Sequence, residues 1–133
     1  MSGTLVQEVE WNTRLEALLK QLDPLLGVET LKRLQGERRI FTHEVIHGEK
    51  SLGFYIGRVD VLANGDRELV IMHAVSEVKG PKPLAHILSG IFPGVGLQLK
   101  CKRVRIHSET RKMDNLLESS GYQFTESVFT KEI

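Results

Sequence analysis

The tripeptide Asn64-Gly65-Asp66 constrains this chain more than any other stretch. Asn and Gly both accept positive φ, the backbone shape that a tight hairpin needs. Two runs rich in β-branched and aromatic residues flank it, Leu52–Leu62 before and Leu69–Ser76 after. Upstream, Arg39–His47 is a further run of Ile, Phe, Thr and Val that closes at the turn signal His47-Gly48-Glu49-Lys50. The middle of the chain is therefore predicted to be a three-stranded antiparallel meander. A chain of 133 residues, 41% hydrophobic and 26% charged, has the composition of one folded domain, spanning residues 1–133.

Helical periodicity surrounds this meander. Leu15, Leu18, Leu19 and Leu22 share a stripe, with Arg14, Glu16, Lys20 and Gln21 off it, which predicts a helix over Asn12–Leu22. Asn12 or Thr13 can cap it, with Glu16 placed to reach back. Asp23-Pro24 breaks the pattern, and a second helix carrying Leu25, Leu26, Leu31 and Leu34 stops at Gly36. Pro81-Lys82-Pro83 opens another helix with Leu84, Ile87, Leu88 and Ile91. Pro93, Gly94 and Gly96 interrupt it, as a kink or as an end. Arg103–His107 reads as a short strand. Ser108 reads as the cap of a helix through Met113, Leu116 and Leu117, which Ser120-Gly121 stops. Tyr122–Lys131 reads as a last strand. With an N-terminal strand over Leu5–Val9, the order is (β)ααβββαβαβ. That order predicts an α/β (α+β) domain with a mixed, mostly antiparallel sheet flanked by helices.

Charge and cysteine content remove several function classes. Eighteen basic and seventeen acidic residues leave a net charge of +1, so no chain-wide field favours nucleic acid or an anionic membrane. No apolar run approaches the roughly 20 residues of a spanning helix. Met1–Gln7 lacks a basic segment followed by an apolar one, which sets the expectation of a cytoplasmic protein. Cys101 is the sole cysteine, and His43, His47, His86 and His107 lack ligand spacing, so no metal is expected. Lys100, Lys102, Arg103, Arg105, Arg111 and Lys112 form the sharpest charge asymmetry, read as a solvated face or as a phosphate-contacting one. Cys101 beside them reads as a small buried residue, or as a thiol with a lowered pKa. Glu44 and Glu68 read as solvent-facing strand residues. His73 alternates with Leu69, Ile71 and Val75, which places it on their side of the strand.

The element order resembles the GCN5-related N-acetyltransferase (GNAT) fold over nearly the whole chain. Val104–Thr110, followed by Met113, Leu116-Leu117-Glu118 and Gly121-Tyr122, is similar to that family's late strand, last long helix and glycine–aromatic turn. The tail Lys131-Glu132-Ile133 is similar to that of short bacteriophage GNAT-like proteins. The resemblance implies acetyl-CoA as cofactor, entering beside Leu69–Ser76 with its pyrophosphate at the start of the next helix, where free amides and the helix dipole hold anions. The family loop is Gln/Arg-x-x-Gly-x-Gly/Ala, and this chain carries Glu77-Val78-Lys79-Gly80-Pro81-Lys82-Pro83. Gly80 matches the first glycine, whereas Glu77 and Lys82 depart from the pattern. Pro81 and Pro83 each remove a donor amide. The implied cofactor-binding residues are Ala74, Val75, Lys79, Gly80 and Lys82, the lysines as point charges.

Acetyl transfer to an amine also needs a base, and His73 and Glu77 are the candidates. The family's thiolate-protonating tyrosine falls at Leu117, which has no proton to give. The implied function is transfer of acetyl to an unidentified amine with weakened activity. Its alternative is a non-catalytic GNAT-fold phage or prophage protein, acting as a virion component or binding a host protein. Self-association is compatible with either. In the family the first two helices wall the acceptor site.

Overall fold

The computed structural model describes residues 3–77, 86–107, 114–125 and 129–133. The elements are β1 (Thr4–Val9), α1 (Thr13–Leu22), α2 (Val28–Gly36), β2 (Phe41–His47), β3 (Lys50–Val61) and β4 (Arg67–Ser76). They continue with α3, a π-turn over Ile87–Ile91 running directly into an α-helix over Phe92–Gln98, then β5 (Arg103–Ile106) and α4 (Asp114–Ser119). One five-stranded sheet has the order β1-β2-β3-β4-β5. The first three pairings are antiparallel, and β4 pairs with β5 in parallel. The mixed, mostly antiparallel α/β fold is thus the one expected, and Asn64-Gly65 sits at the tip between β3 and β4, with Gly65 at φ 88°.

The local signals act largely as their chemistry dictates. The Asn12 side chain accepts the Leu15 amide at 2.9 Å and caps α1. Glu16 does not reach back to the cap; it accepts the Trp11 indole N–H at 3.2 Å and the Lys20 ammonium. Asp23 ends α1, and its carboxylate accepts the Leu25 amide.

Two cores sandwich the sheet. Leu15, Leu19, Val28 and Leu31 of α1 and α2 pack on Phe54, Ile56 and Val75. On the other side, Leu88, Phe92 and Val95 of α3 pack on Val45, Tyr55, Leu69 and Ile71. Strand alternation feeds both layers: Phe54 and Ile56 face α1–α2, while Tyr55 and Val59 face α3. Gly53, at φ 138°, lets β3 pass against the end of β4. A Cβ there would collide with the Val75 carbonyl and sit 2.9 Å from the Ser76 Cα.

Pro93 does not end the helix it interrupts. The Phe92 amide bonds back to the Ile87 carbonyl, five residues away, so the π-turn absorbs the disruption. The next bond of that ladder would need an N–H on Pro93, which proline lacks. The Tyr122 hydroxyl donates to the Leu88 carbonyl instead, at 2.7 Å. Tyr122 therefore packs in the α3 layer and not in a strand, and burial raises its pKa to about 12. Of the expected last strand over Tyr122–Lys131, residues 126–128 lie outside the described residues. Its described parts carry no pairing, and Phe124 and Phe129 are exposed. Tyr122→Phe should cost about 1–3 kcal/mol by orphaning the Leu88 carbonyl. Urea unfolding of the two proteins checks it, and equal midpoints would show that the bond contributes nothing. Among the described residues, no helix is long and apolar enough to cross a membrane.

Candidate functional site

The sheet opens between β4 and β5. These strands pair only from Glu68–Ile71 with Arg103–Ile106; beyond that, Met72–Ser76 pairs with β3 alone among the described residues. The opening coincides with a bulge. Ile56 faces His73 and the next β3 residue, Gly57, faces Ile71, so Met72 is one residue too many on β4. An extra residue exchanges the faces of everything after it. Leu69 and Ile71 face α3, whereas Met72, His73 and Val75 face α1–α2. His73 therefore does not share a side with Leu69 and Ile71, as simple alternation predicts, but stands on the α1–α2 side with Val75. Ala74, exposed, faces the α3 side of the gap.

Among the described residues the main chain of Met72–Ser76 has no partner on its β5 side, and exposed Ala74 lies in this gap. Lys79, Gly80 and Lys82, the remaining expected cofactor residues, lie outside the described residues.

Glu77 follows β4 and is fixed from both sides. Its amide donates to the Leu52 carbonyl at 3.1 Å, and its carboxylate accepts from Arg14 of α1. Arg14 also donates to Glu44 of β2 at 3.0 Å, and its guanidinium carbon lies 5.0 Å from the Phe54 ring centre. Burial disfavours the charged guanidinium, but the hydrogen bonds to Glu77 and Glu44 outweigh it and raise the Arg14 pKa. Burial likewise pushes the Glu44 pKa up, and the hydrogen bond and charge of Arg14 help bring it below the ordinary value. The ion cluster gathers His73's side of the sheet under α1. Of the two expected bases, Glu77 is tied to Arg14, and His73 stands on the α1–α2 side of β4. Arg14 was invisible as a site residue in sequence, since its partners lie 30 and 63 positions away.

Two acidic residues expected at the surface are not there. Glu68 is 2% exposed, bonded to Nε of Arg103 and, at 2.9 Å, to Nε of Arg105. Glu44 is half-buried under Arg14. Three cations of the basic cluster are thus paired within the fold, since Lys102 also pairs with Asp66 at 3.1 Å. Arg111 and Lys112 lie outside the described residues. Cys101 is buried, which agrees with its reading as a small buried residue, and burial raises its pKa. An open depression of about 450 Å³ lies at the far end of the sheet from Ser76, lined by Asn64, Asp66, Arg67, Lys102 and Arg103. No group of three or more His, Cys, Asp or Glu side chains among the described residues could hold a metal.

On the opposite face, the His43 Nδ1 and the Tyr55 hydroxyl are 2.7 Å apart, and Tyr55 stacks edge-on against Phe92 of α3. Burial lowers the His43 pKa below 6.5, although Glu8 opposes this. A depressed histidine favours the fold most above its unfolded pKa. Stability should therefore fall as pH drops from about 6.5 toward the lowered value, by at most about 1.4 kcal/mol per pH unit. Chemical unfolding of the parent and of His43→Gln between pH 7.5 and 5 checks this. An identical slope in both proteins would assign the pH dependence to other groups.

No protein-family model matches this sequence, and no curated protein does. Solved structures match its fold along the whole chain. The GNAT family acetyltransferase of Staphylococcus aureus subsp. aureus USA300_TCH1516 superposes with a TM-score of 0.65 at 19% identity, covering 100% of both chains. The ribosomal-protein-alanine N-acetyltransferase of Brucella melitensis biovar Abortus 2308 gives 0.70 at 15%, covering 98% of this chain and 99% of that one. AAC(6')-Iy, in complex with the bisubstrate analogue CoA-S-monomethyl-acetylneamine, gives 0.68 at 17%, covering 99% of each. The chain has the fold of the GNAT acetyltransferases.

Proposed function

We propose that this chain is an acyl-CoA-dependent N-acyltransferase of weakened activity, with acetyl-CoA as donor. The observation that carries the reading is the β4–β5 gap, opened at the Met72 bulge and flanked by His73. Acetyl-CoA supplies an activated thioester. Ala74 and Val75 line its entry, with Lys79, Gly80 and Lys82 beyond the strand. His73 takes the proton of the attacking ammonium at an imidazole nitrogen. A C–N bond forms as the C–S bond breaks, and the thiolate is protonated by solvent because Leu117 cannot donate. Glu77 stays with Arg14 and Glu44 and shapes the acceptor side.

A folded-state ligand stabilises by RT ln(1 + [L]/Kd). Two amides are missing at Pro81 and Pro83, so millimolar acetyl-CoA should raise Tm by only about 1–3 °C. Lys79→Ala with Lys82→Ala should abolish the shift. No shift at any concentration would end this reading.

A second reading is a non-catalytic GNAT-fold protein of phage or prophage origin that binds a virion or host protein. It is favoured by Leu117 at the acid position and by a carboxylate, Glu77, where the phosphate loop begins.

A further inference from the structure

The end of the sheet opposite Ser76 lies between two connections, the β3–β4 hairpin and the link from α3 to β5. The Lys102 amide donates to the Arg67 carbonyl at 2.9 Å and ties the two together. Between them is the open depression of about 450 Å³, with Leu62 and Ala63 as its apolar wall and Arg67, Lys102 and Arg103 as its cations. Each cation is held differently. Lys102 pairs with Asp66 at 3.1 Å, with its side chain 74% exposed. Arg103 gives its Nε–H to the buried Glu68 carboxylate. Arg67 is exposed and gives its Nε–H to the main-chain carbonyl of Leu99, at 3.1 Å, just past α3. Among the described residues it has no carboxylate partner. A carbonyl fixes a guanidinium without neutralising it, and Arg67's other neighbour, the buried Cys101 thiol, is uncharged as well because burial raises its pKa.

We propose that this depression binds a small organic oxyanion, a phosphate or a carboxylate, gripped by Arg67 with Lys102 and Arg103 beside it and with its carbon body against Leu62 and Ala63. Arg67 and Glu68 are successive on β4 and point to opposite faces. Arg67 therefore comes from the α3 side, and Arg103, bonded to Glu68, from the other, so guanidiniums enter the depression from both faces of the sheet. Guanidinium forks fit planar and tetrahedral oxyanions in a way an ammonium does not. Both arginines are already anchored through Nε, which lowers the side-chain entropy lost on binding. The exposed Lys102–Asp66 pair is worth little by itself, so Lys102 can turn to a ligand at small cost. Arg67 begins β4 and the β4–β5 gap lies at that strand's other end, so binding here does not depend on the transferase reading.

The test follows the Arg67 and Arg103 Nε–H signals by NMR at constant ionic strength. The probes are glycerol 3-phosphate, butanoate and, as the anion-free control, glycerol. At least one anionic probe should shift both signals saturably while glycerol does not, and the tighter of the two tells phosphate from carboxylate. Arg67→Gln removes the uncompensated charge and, followed on Arg103, should weaken that probe at least about tenfold. Asp66→Asn releases Lys102 and should tighten it roughly fivefold. Lys20→Gln removes one charge from α1, outside the depression, and should leave the affinity within about twofold. If Arg67→Gln does not fold, Asp66→Asn and Lys20→Gln decide. Anionic probes that act like glycerol or never saturate, an Arg67→Gln protein that binds like the parent, an Asp66→Asn protein that binds no tighter, or an equal loss in Lys20→Gln overturns the site.

Discussion

Gly53→Ala should destabilise the domain by at least about 3 kcal/mol. Two independent costs combine. The backbone sits at φ 138°, where an L side chain is strained. The new methyl would also strike backbone, the Val75 carbonyl and the Ser76 Cα, and not the yielding end of a side chain. Backbone at this spot is tied in place, because Leu52 accepts both the Glu77 amide and the Ser76 hydroxyl. The fall in Tm should be roughly 10 °C or more. Gly94→Ala is the matched control. Nothing lies within 4 Å of its added methyl, and in a helix it should be neutral or stabilising by up to about 1 kcal/mol. Differential scanning calorimetry of the pair checks both, and a Gly53→Ala protein as stable as the parent would show that β3 is free to move from β4.

The second large effect is an asymmetry around Glu68. Removing both of its partners, by Arg103→Ala with Arg105→Ala, strands a carboxylate that is 2% exposed and should cost about 3–5 kcal/mol. Removing the carboxylate, by Glu68→Leu, leaves two arginines that are already 56% and 34% exposed and can turn to water. Leucine also buries comfortably beside Val70, so this change should cost less than about 1.5 kcal/mol. Combining all three changes should recover much of the loss, because the stranded charge is gone. Denaturant unfolding of the set measures it. Equal costs for the arginine pair and for Glu68→Leu would mean that water reaches the carboxylate, against its observed burial.

Local chemistry was readable where neighbours in sequence decide it. Asn64-Gly65 marks the hairpin, Asn12 and Asp23 bound α1, and the leucine stripe is the face that meets the sheet. What alternation could not show was the phase of β4 after Met72, because a bulge is defined by the opposing strand. Glu68 looked like a surface residue because the arginines that bury it arrive 35 and 37 positions later. The ion pair of Glu77 was not readable because its arginine comes from a helix 63 positions earlier. Tyr122–Lys131 has a strand's pattern, but Pro93 leaves a carbonyl vacant and Tyr122 is drawn to it.

The extra residue at Met72 also governs how β4 tolerates change. Upstream of it, odd positions, Leu69 and Ile71, must stay apolar for the α3 layer. Downstream, Val75 is again apolar and odd, yet it serves the opposite layer. A mutational library designed with one alternating mask would therefore look correct on paper and mix the requirements of two different cores. Deleting Met72 would remove the extra residue itself, so that Ile71, His73, Ala74 and Val75 would alternate without interruption and keep the faces they have now.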